Sequence, residues 1–264
     1  MRVLFYGDIV GELGRLALLH SLPKLKEQWH PDFVIANGEN ATHGKGLSLA
    51  HYKFIVGAGV DAVTLGNHWH SKTQIDNYID ETDKLIRPLN LINYHHGVGS
   101  RLFTKNGVNI RVTNLLAQAF MNETVTSPVL TLSSFLKEHS EPCIHIVDFH
   151  GDSTSEKAIL AYYFDGRVSA VLGTHTHVQT ADARLLPNGT GFITDVGMTG
   201  EEGGIIGYTK DSVIQKMVYG EKGPFGLSVD GIAMANGVVM DFDNQTFKCL
   251  SIHPFNLDLG EIHE

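Results

Sequence analysis

Three features of the chain predict an α/β fold. Short β-branched and aromatic runs alternate with stretches of helical periodicity. Several of the strand-like runs end in the same way, at a Gly, Asn, Asp or Thr followed by a side chain able to bind metal. The composition is globular: 264 residues, 42% hydrophobic and 19% charged, with both signs spread along the chain. That is enough apolar material for a sizeable core, and it argues against a disordered chain, a coiled coil or a collagen-like repeat. With no internal repeat, low-complexity tract or linker in view, residues 1–264 read as a single domain.

The elements follow in order. Residues 2–6 form a β-rich run that stops at Gly7-Asp8. Leu13, Leu16, Leu19, Leu22, Leu25 and Trp29 then recur at helical spacing, with Pro23 expected to kink or split that helix. Residues 33–36 are the next strand, ending at Asn37-Gly38-Glu39-Asn40, and a glycine-rich loop over 42–46 follows. Ser48 suits an N-cap for a helix to residue 56. Residues 61–65 form a strand ending at Gly66-Asn67-His68, and 72–80 a short helix. Asn106-Gly107 joins strands 102–105 and 108–113 in a hairpin, because Asn-Gly fits the tight primed turn. A helix over 130–139 precedes a strong strand over 144–149, ending at His150. Ser153-Thr154-Ser155-Glu156 has capping-box spacing and opens a helix to residue 163. Strand 168–172 ends at Gly173-Thr174-His175-Thr176-His177, and 191–194 is short and apolar. A helix over 210–219 and an antiparallel pair, 231–241 with 246–252, complete the chain.

Charge and cysteine content exclude some functions. Lys and Arg number 20 against 29 Asp and Glu, a net −9, so a nucleic-acid backbone is not attracted at long range and no stable nucleic-acid complex is expected. Small phosphate esters remain open, since a local metal cluster outweighs the global charge. The apolar runs are far shorter than the roughly 18 residues a membrane span needs, and no membrane partner is expected. An early Asp8 argues against a signal peptide, and the two cysteines, Cys143 and Cys249, read as reduced thiols of a cytoplasmic protein. Histidine is the unusual component, at 15 residues. A metal bound by this chain would have N and O ligands rather than S.

The chemistry is carried by the strand ends: Asp8, Glu39 with Asn40, Asn67 with His68, His150, and His175 with His177. In α/β sheets ligands gather at the carboxyl ends of strands, so groups distant in sequence meet there. Glycines 7, 38, 66 and 173 precede these groups and let the backbone turn sharply or approach closely. Each piece also has an ordinary explanation. Gly7-Asp8 is a common strand-to-helix turn, Asn-Gly-Glu-Asn a common surface turn, and a lone His150 a common core residue. Two imidazoles two residues apart in a tight loop rarely serve packing. The remaining histidines read as surface or core residues, with His43 and His70 close enough to the site to face a substrate. Carboxylate, amide oxygen and imidazole suit Fe, Mn, Zn or Co, and the set is too large for one catalytic ion with open positions. Two ions would activate a water and neutralise phosphoryl oxygens.

Taken together, these segments resemble the calcineurin-like metallophosphoesterase superfamily. They appear as Gly7-Asp8, Asn37-Gly38-Glu39-Asn40, Gly66-Asn67-His68, Asp148-Phe149-His150 and Gly173-Thr174-His175-Thr176-His177. The first site has Asp8-Ile9-Val10 in place of the usual Asp-x-His, and Glu39 stands in for the usual bridging Asp. Both departures are similar to those of the bacterial YmdB-like phosphodiesterase branch. The likeness spans the chain, through Gly38-Glu39-Asn40-Ala41-Thr42-His43-Gly44-Lys45-Gly46-Leu47, Thr154-Ser155-Glu156-Lys157 and Thr194-Asp195-Val196-Gly197-Met198-Thr199-Gly200. After Gly-Asn-His this chain carries Trp69-His70-Ser71, where the branch more often carries Thr-Trp-Asp.

The resemblance implies a four-layer α/β/β/α sandwich and two metal ions, iron or alternatively manganese. Asp8, Glu39, Asn40 and His177 would hold one ion and Glu39, Asn67, His150 and His175 the other, with Glu39 bridging. It further implies that a hydroxide between the ions attacks phosphorus and that His68 is the general acid. The implied activity is hydrolysis of small cyclic nucleotides, 2′,3′-cyclic nucleotides to 3′-nucleotides, by a homo-oligomer (dimer or tetramer). Two other readings compete: a regulatory nucleotide-binding protein with little turnover, and a phosphomonoesterase or phosphoprotein phosphatase on the same site.

Overall fold

Alternate side chains of the first strand enter different cores. Val3 and Phe5 pack in the middle of the molecule, whereas Leu4 and Tyr6 pack outward beneath helices. A strand apolar on both faces is the signature of a sheet covered on both sides. The computed structural model describes residues 1–262; His263 lies outside the described residues.

Two sheets share the middle core. The first comprises β1 (Arg2–Tyr6), β2 (Asp8–Ile9), β3 (Phe33–Asn37), β4 (Ala62–Thr64), β5 (Leu85–Ile86), β12 (Met198–Glu201), β13 (Gly231–Phe242) and β14 (Cys249–Ile262). Its 8 strands lie in the order β2-β12-β13-β1-β3-β4-β5, with β14 added against β13. The second comprises β6 (Ser100–Lys105), β7 (Val108–Leu116), β8 (Ile144–His150), β9 (Ala170–Thr174), β10 (Arg184–Leu185) and β11 (Gly191–Ile193). Its 6 strands lie in the order β10-β11-β9-β8-β7-β6. Within each sheet the central strands run parallel: β1, β3, β4 and β5 in the first, β7, β8, β9 and β11 in the second.

Val3, Phe5, Phe33, Ile35 and Val238 from the first sheet meet Ile110, Val112, Ile144, Ile146 and Leu172 from the second. Helices cover the outer faces. On the first sheet, α1 (Gly11–Trp29) and α2 (Leu49–Gly57) bury Leu18, Leu22, Leu25, Tyr52 and Ile55 against Leu4, Tyr6 and Val34. On the second, α3 (Pro128–Glu138) and α4 (Thr154–Tyr163) bury Leu132, Leu160 and Ala161 against Val147, Phe149 and Val171. The architecture is therefore α/β/β/α. A fifth helix, α5 (Lys210–Met217), buries none of its residues in either layer.

Several sequence expectations need correction. Pro23 does not split α1, which runs on to Trp29. The carbonyl that loses its partner belongs to Leu19, a residue 43% exposed, so water can serve it. Residues 72–80 form two short 3-10 turns, Thr73–Asn77 and Ile79–Glu81, rather than an α-helix. Ser153 caps α4 by accepting from the Glu156 amide at 3.3 Å. The Glu156 carboxylate does not return to Ser153 but accepts from the Gln118 and Ala119 amides at 3.2 and 2.8 Å, tying the loop after β7 to the helix. Strands β2, β5, β10 and β12 leave no pattern in the sequence because each is only 2 to 4 residues long. Both residues of the Asn106-Gly107 turn have positive φ, 51° and 76°, as the primed turn requires.

Candidate metal centre

The carboxyl ends of the parallel strands of both sheets open on the same place. Asp8 follows β1, Glu39 and Asn40 follow β3, Asn67 and His68 follow β4, His150 ends β8, and His175 and His177 follow β9. The sequence predicts a shared rim; the structure builds it from two facing sheets. A buried polar network clamps them together beneath the site. The Asp148 carboxylate of β8 accepts from Asn37 Nδ2 at 3.0 Å, Thr64 Oγ1 at 2.5 Å and Thr174 Oγ1 at 2.6 Å. Burial pushes the Asp148 carboxyl up to about 6 despite the His150 charge and these hydroxyls. Asn37 also uses its oxygen to accept from the Glu39 amide at 3.1 Å, which aims Glu39 inward.

Every side chain singled out from the sequence as a ligand or acid joins one connected cluster. The His175 amide donates to Asp8 Oδ2 at 3.1 Å. His150 Nε2 lies 3.2 Å from Glu39 Oε1, 2.9 Å from Asn67 Oδ1 and 3.1 Å from His175 Nδ1. Asn40 Nδ2 donates to Glu39 Oε1 at 3.0 Å and sits 3.1 Å from His177 Nε2. Its oxygen faces His68 Nδ1 at 2.7 Å, while the His68 amide donates to Glu39 Oε2 at 2.9 Å. His43 and His70 stay outside the cluster. His43 is exposed with its ring near His51, and His70 is held by Asp76 at 2.8 Å. Trp69 is buried against Tyr94, so the segment after Gly-Asn-His packs the wall rather than the cleft.

Local backbone chemistry makes this proximity attainable. A Cβ on Gly66 would lie 2.3 Å from Glu39 Oε2 and 2.5 Å from His150 Nε2, so only glycine leaves room for the two groups. His175 and His177 both have positive φ, 104° and 66°, a costly conformation for residues with side chains. Their loop is held by Asp195, which accepts from the Thr176 amide at 3.0 Å and from Lys157 Nζ at 2.9 Å, with both charged side chains fully buried. Sequence reasoning assigns no role to Asp195, Lys157, Asp148 or Thr174. A carboxylate inside the apolar run 144–149 is the available signal for Asp148.

The donor set fits metal ions. Thr174 spends its hydroxyl proton on Asp148 and accepts from His150 Nδ1 at 2.9 Å. On the other side of the ring His150 Nε2 faces Asn67 Oδ1 and Glu39 Oε1, both acceptors, so a cation there would take the place of an Nε2 proton. Asp8 Oδ1 is buried with no hydrogen-bond partner. Converging acceptors and a carboxylate oxygen without a hydrogen bond are satisfied by a cation. The electrostatics agree. Burial pulls His150 down, yet Glu39, Asp8 and Asp148 outweigh it and push it up to about 9, so the site favours positive charge at this point. Burial raises Glu39, but His150 and His68 reverse this and hold it well below the usual carboxylate range. Burial and the neighbouring His150 charge push His175 down to about 3, a neutral imidazole suited to ligation. Glu39, His150 and His175 present ligand atoms within 4.8 Å of one another. Above them opens a cleft of about 300 Å³ lined by Asn40, His68, Asp152, Thr176, His177, Ile206 and Tyr208. A cavity of about 400 Å³ at the amino ends of the second sheet, beside Lys137, Cys143 and Lys248, contains none of these groups.

The family model described as YmdB-like protein matches residues 4–255. The chain belongs to the YmdB-like family. It is 43% identical over 253 residues to the Bacillus subtilis protein named 2′,3′-cyclic-nucleotide 2′-phosphodiesterase, covering 96% of this chain and 95% of that relative. A crystal structure of a Mycoplasma pneumoniae protein titled a novel phosphatase superposes with TM-score 0.91 at 38% identity, over 100% of this chain and 94% of that one. The crystal structure of a hypothetical protein from Thermus thermophilus gives TM-score 0.90 at 37% identity, over 98% of this chain and 99% of that one. The NAD nucleotidase of Haemophilus influenzae shares the fold alone, at 14% identity and TM-score 0.55 over 99% of this chain and 57% of that one.

Proposed function

We propose that this metal-dependent phosphodiesterase hydrolyses small cyclic nucleotides, opening 2′,3′-cyclic nucleotides to 3′-nucleotides. The observation that carries the reading is the convergence of buried acceptors, with Asp8 Oδ1 accepting no hydrogen bond and only the His150 ring 3.7 Å away, at the floor of a cleft that His68 overlooks. The substrate class is supported by the 43% identical relative, whose name specifies it.

Asp8, Glu39, Asn40 and His177 would hold one ion, and Glu39, Asn67, His150 and His175 the other. Two such ions supply charge to neutralise phosphoryl oxygens and acidity to activate water at neutral pH. The chain's own groups do the rest. Thr174 and the Ile206 carbonyl accept from the Nδ1 atoms of His150 and His177 at 2.9 and 2.8 Å, so both rings turn Nε2 inward. Asn40 Oδ1 engages His68 Nδ1 at 2.7 Å, leaving Nε2 to carry the mobile proton. As the bond between phosphorus and the 2′ oxygen breaks, His68 Nε2 donates that proton to the leaving alkoxide, and water supplies the oxygen gained by phosphorus. Iron or manganese as the ions, a homo-oligomeric assembly and a cytoplasmic location belong to the same reading. Both cysteines are free, which suits a reducing compartment.

The test is hydrolysis of 2′,3′-cAMP and bis-p-nitrophenyl phosphate with added Mn²⁺. His68→Ala is expected to lower kcat by roughly 10²–10⁴-fold with metal content retained. Glu39→Gln is expected to lose bound metal by elemental analysis. Full turnover in the first variant removes the acid assignment, and full metal occupancy in the second removes Glu39 as the bridge.

A further inference from the structure

Ile206 has φ +47° and the following Gly207 has φ +89°. Around them, Ile205 and Tyr208 exchange both backbone hydrogen bonds, at 2.8 and 3.1 Å. Positive φ at both central residues of a two-residue loop marks the I′ turn, whose first position favours Asn, Asp or Gly. A β-branched residue there is a genuine conformational outlier. Its own packing does not offset the strain, because Ile206 remains 48% exposed.

The location of this turn indicates its use. The Ile206 carbonyl accepts from His177 Nδ1 at 2.8 Å, so the turn is registered directly to the candidate metal centre. The Ile206 and Tyr208 side chains line the same cleft as Glu39 and His68. They contribute its apolar surface, in a site otherwise made of imidazole, amide, hydroxyl and carboxylate. Tyr208 is braced on two sides. Its hydroxyl donates to the Gly44 carbonyl at 3.2 Å, and its ring meets Phe225 with centroids 5.3 Å apart. A partly exposed aromatic ring held by a neighbouring ring and at its hydroxyl end is a stacking platform.

We propose that the Ile205-Ile206-Gly207-Tyr208 turn selects the organic part of the diester, with Tyr208 stacking on the nucleobase and Ile206 closing against the sugar-base unit. The proposal rests on the cyclic-nucleotide reading above and names the residues that recognise the nucleoside. Strain at Ile206 places an apolar side chain over the ligands where the favoured Asn would place a polar one.

The experiment compares 2′,3′-cAMP with glycerol 1,2-cyclic phosphate, a five-membered cyclic diester without a base, on the metal-loaded enzyme. For Ile206→Asn and Tyr208→Ala, the ratio of kcat/KM between the nucleotide and the base-free diester is expected to fall on the order of tenfold. Tyr208→Phe, which keeps the ring, is expected to restore most of that ratio. Ile206→Asn is also expected to raise Tm by roughly 2–4 °C, since it relieves the turn while keeping its carbonyl. An unchanged ratio in Ile206→Asn and Tyr208→Ala overturns the proposal, as does an equal loss in Tyr208→Phe and Tyr208→Ala. Calorimetric binding of 3′-AMP against inorganic phosphate, in the same variants, tests the same preference without turnover. Failure of the wild type to open either diester instead sinks the activity reading, and the binding arm still decides the role of the turn.

Discussion

Thr174 has one hydroxyl proton and spends it on Asp148, which obliges it to accept from His150 Nδ1. A single hydroxyl thereby decides which nitrogen of a buried imidazole faces Glu39 and Asn67. Thr174→Val keeps the shape of the side chain and removes the relay. It is expected to weaken metal binding by about 10–100-fold, read by Mn²⁺ titration, while leaving the fold intact by circular dichroism. Unaltered affinity in the valine variant would show that Thr174 only fills space. The contrast with the candidate ligands explains what the sequence discloses at this scale. Asp8, Glu39 and His175 announce themselves because metal-capable side chains placed after strands are chemically conspicuous. Thr174 is an ordinary residue at an ordinary position, and its role depends on a partner, Asp148, that only tertiary structure supplies. Ile206 is harder still, since neither its φ nor its nearness to His177 leaves a trace in residue type.

Among the elements, α4 shows how a helix can serve a loop it does not adjoin. Capping-box spacing and periodicity predict its extent well, from Ser153 to about residue 163. Its most consequential residue breaks the pattern: Lys157 is fully buried, with its ammonium on Asp195, the carboxylate that also receives the Thr176 amide. A buried charge without its partner is costly, about 3–5 kcal/mol. Lys157→Met strands Asp195 in this way and should destabilise the protein by that order in urea unfolding. It should also lower metal affinity, because the loop carrying His175 and His177 loses its tether. Lost stability with full metal affinity would separate the helix from the site. Periodicity is informative wherever burial follows one face, as in α1, and misleading where a local rule meets an exposed position. Pro23 sits on an exposed face of α1 together with Leu19, whose carbonyl loses its partner, and exposure cannot be read from a proline.

At the scale of the whole molecule, stability acquires a pH dependence from the second sheet. His145, buried in β8, shares a hydrogen bond with Thr113 of β7 at 2.8 Å. Burial, with the nearby Arg111 and His139 charges, pushes it down to about 3. In the unfolded chain it titrates near its ordinary value of about 6.5, so between about pH 6.5 and 3 the unfolded state binds the extra proton. Folding stability therefore falls as pH drops through that window, by about 2 kcal/mol from pH 7 to 5 for this group. Urea titrations at pH 7 and 5 should show His145→Gln losing less stability than wild type by that amount. Identical pH dependence in the two proteins would remove His145 as the source. The four layers themselves follow from family resemblance, and the alternation of 2–6 shows why residue pattern alone stops at α/β. Val3 and Leu4 are equally apolar, and nothing in the run says that one meets helices and the other a second sheet.

Strand order has a consequence for biosynthesis. β1 lies between β3 and β13, and β2, which carries Asp8, pairs with β12. Asp8 is thus made among the first residues, whereas the strands that brace it are made near the last. A nascent polypeptide stalled before Gly231 leaves β1 with one open edge and the Gly7 amide without the Asn236 carbonyl that it bonds at 3.0 Å. Because pairing across such sequence separations comes late and slowly, the sheet around Asp8 is completed only once β13 has been made.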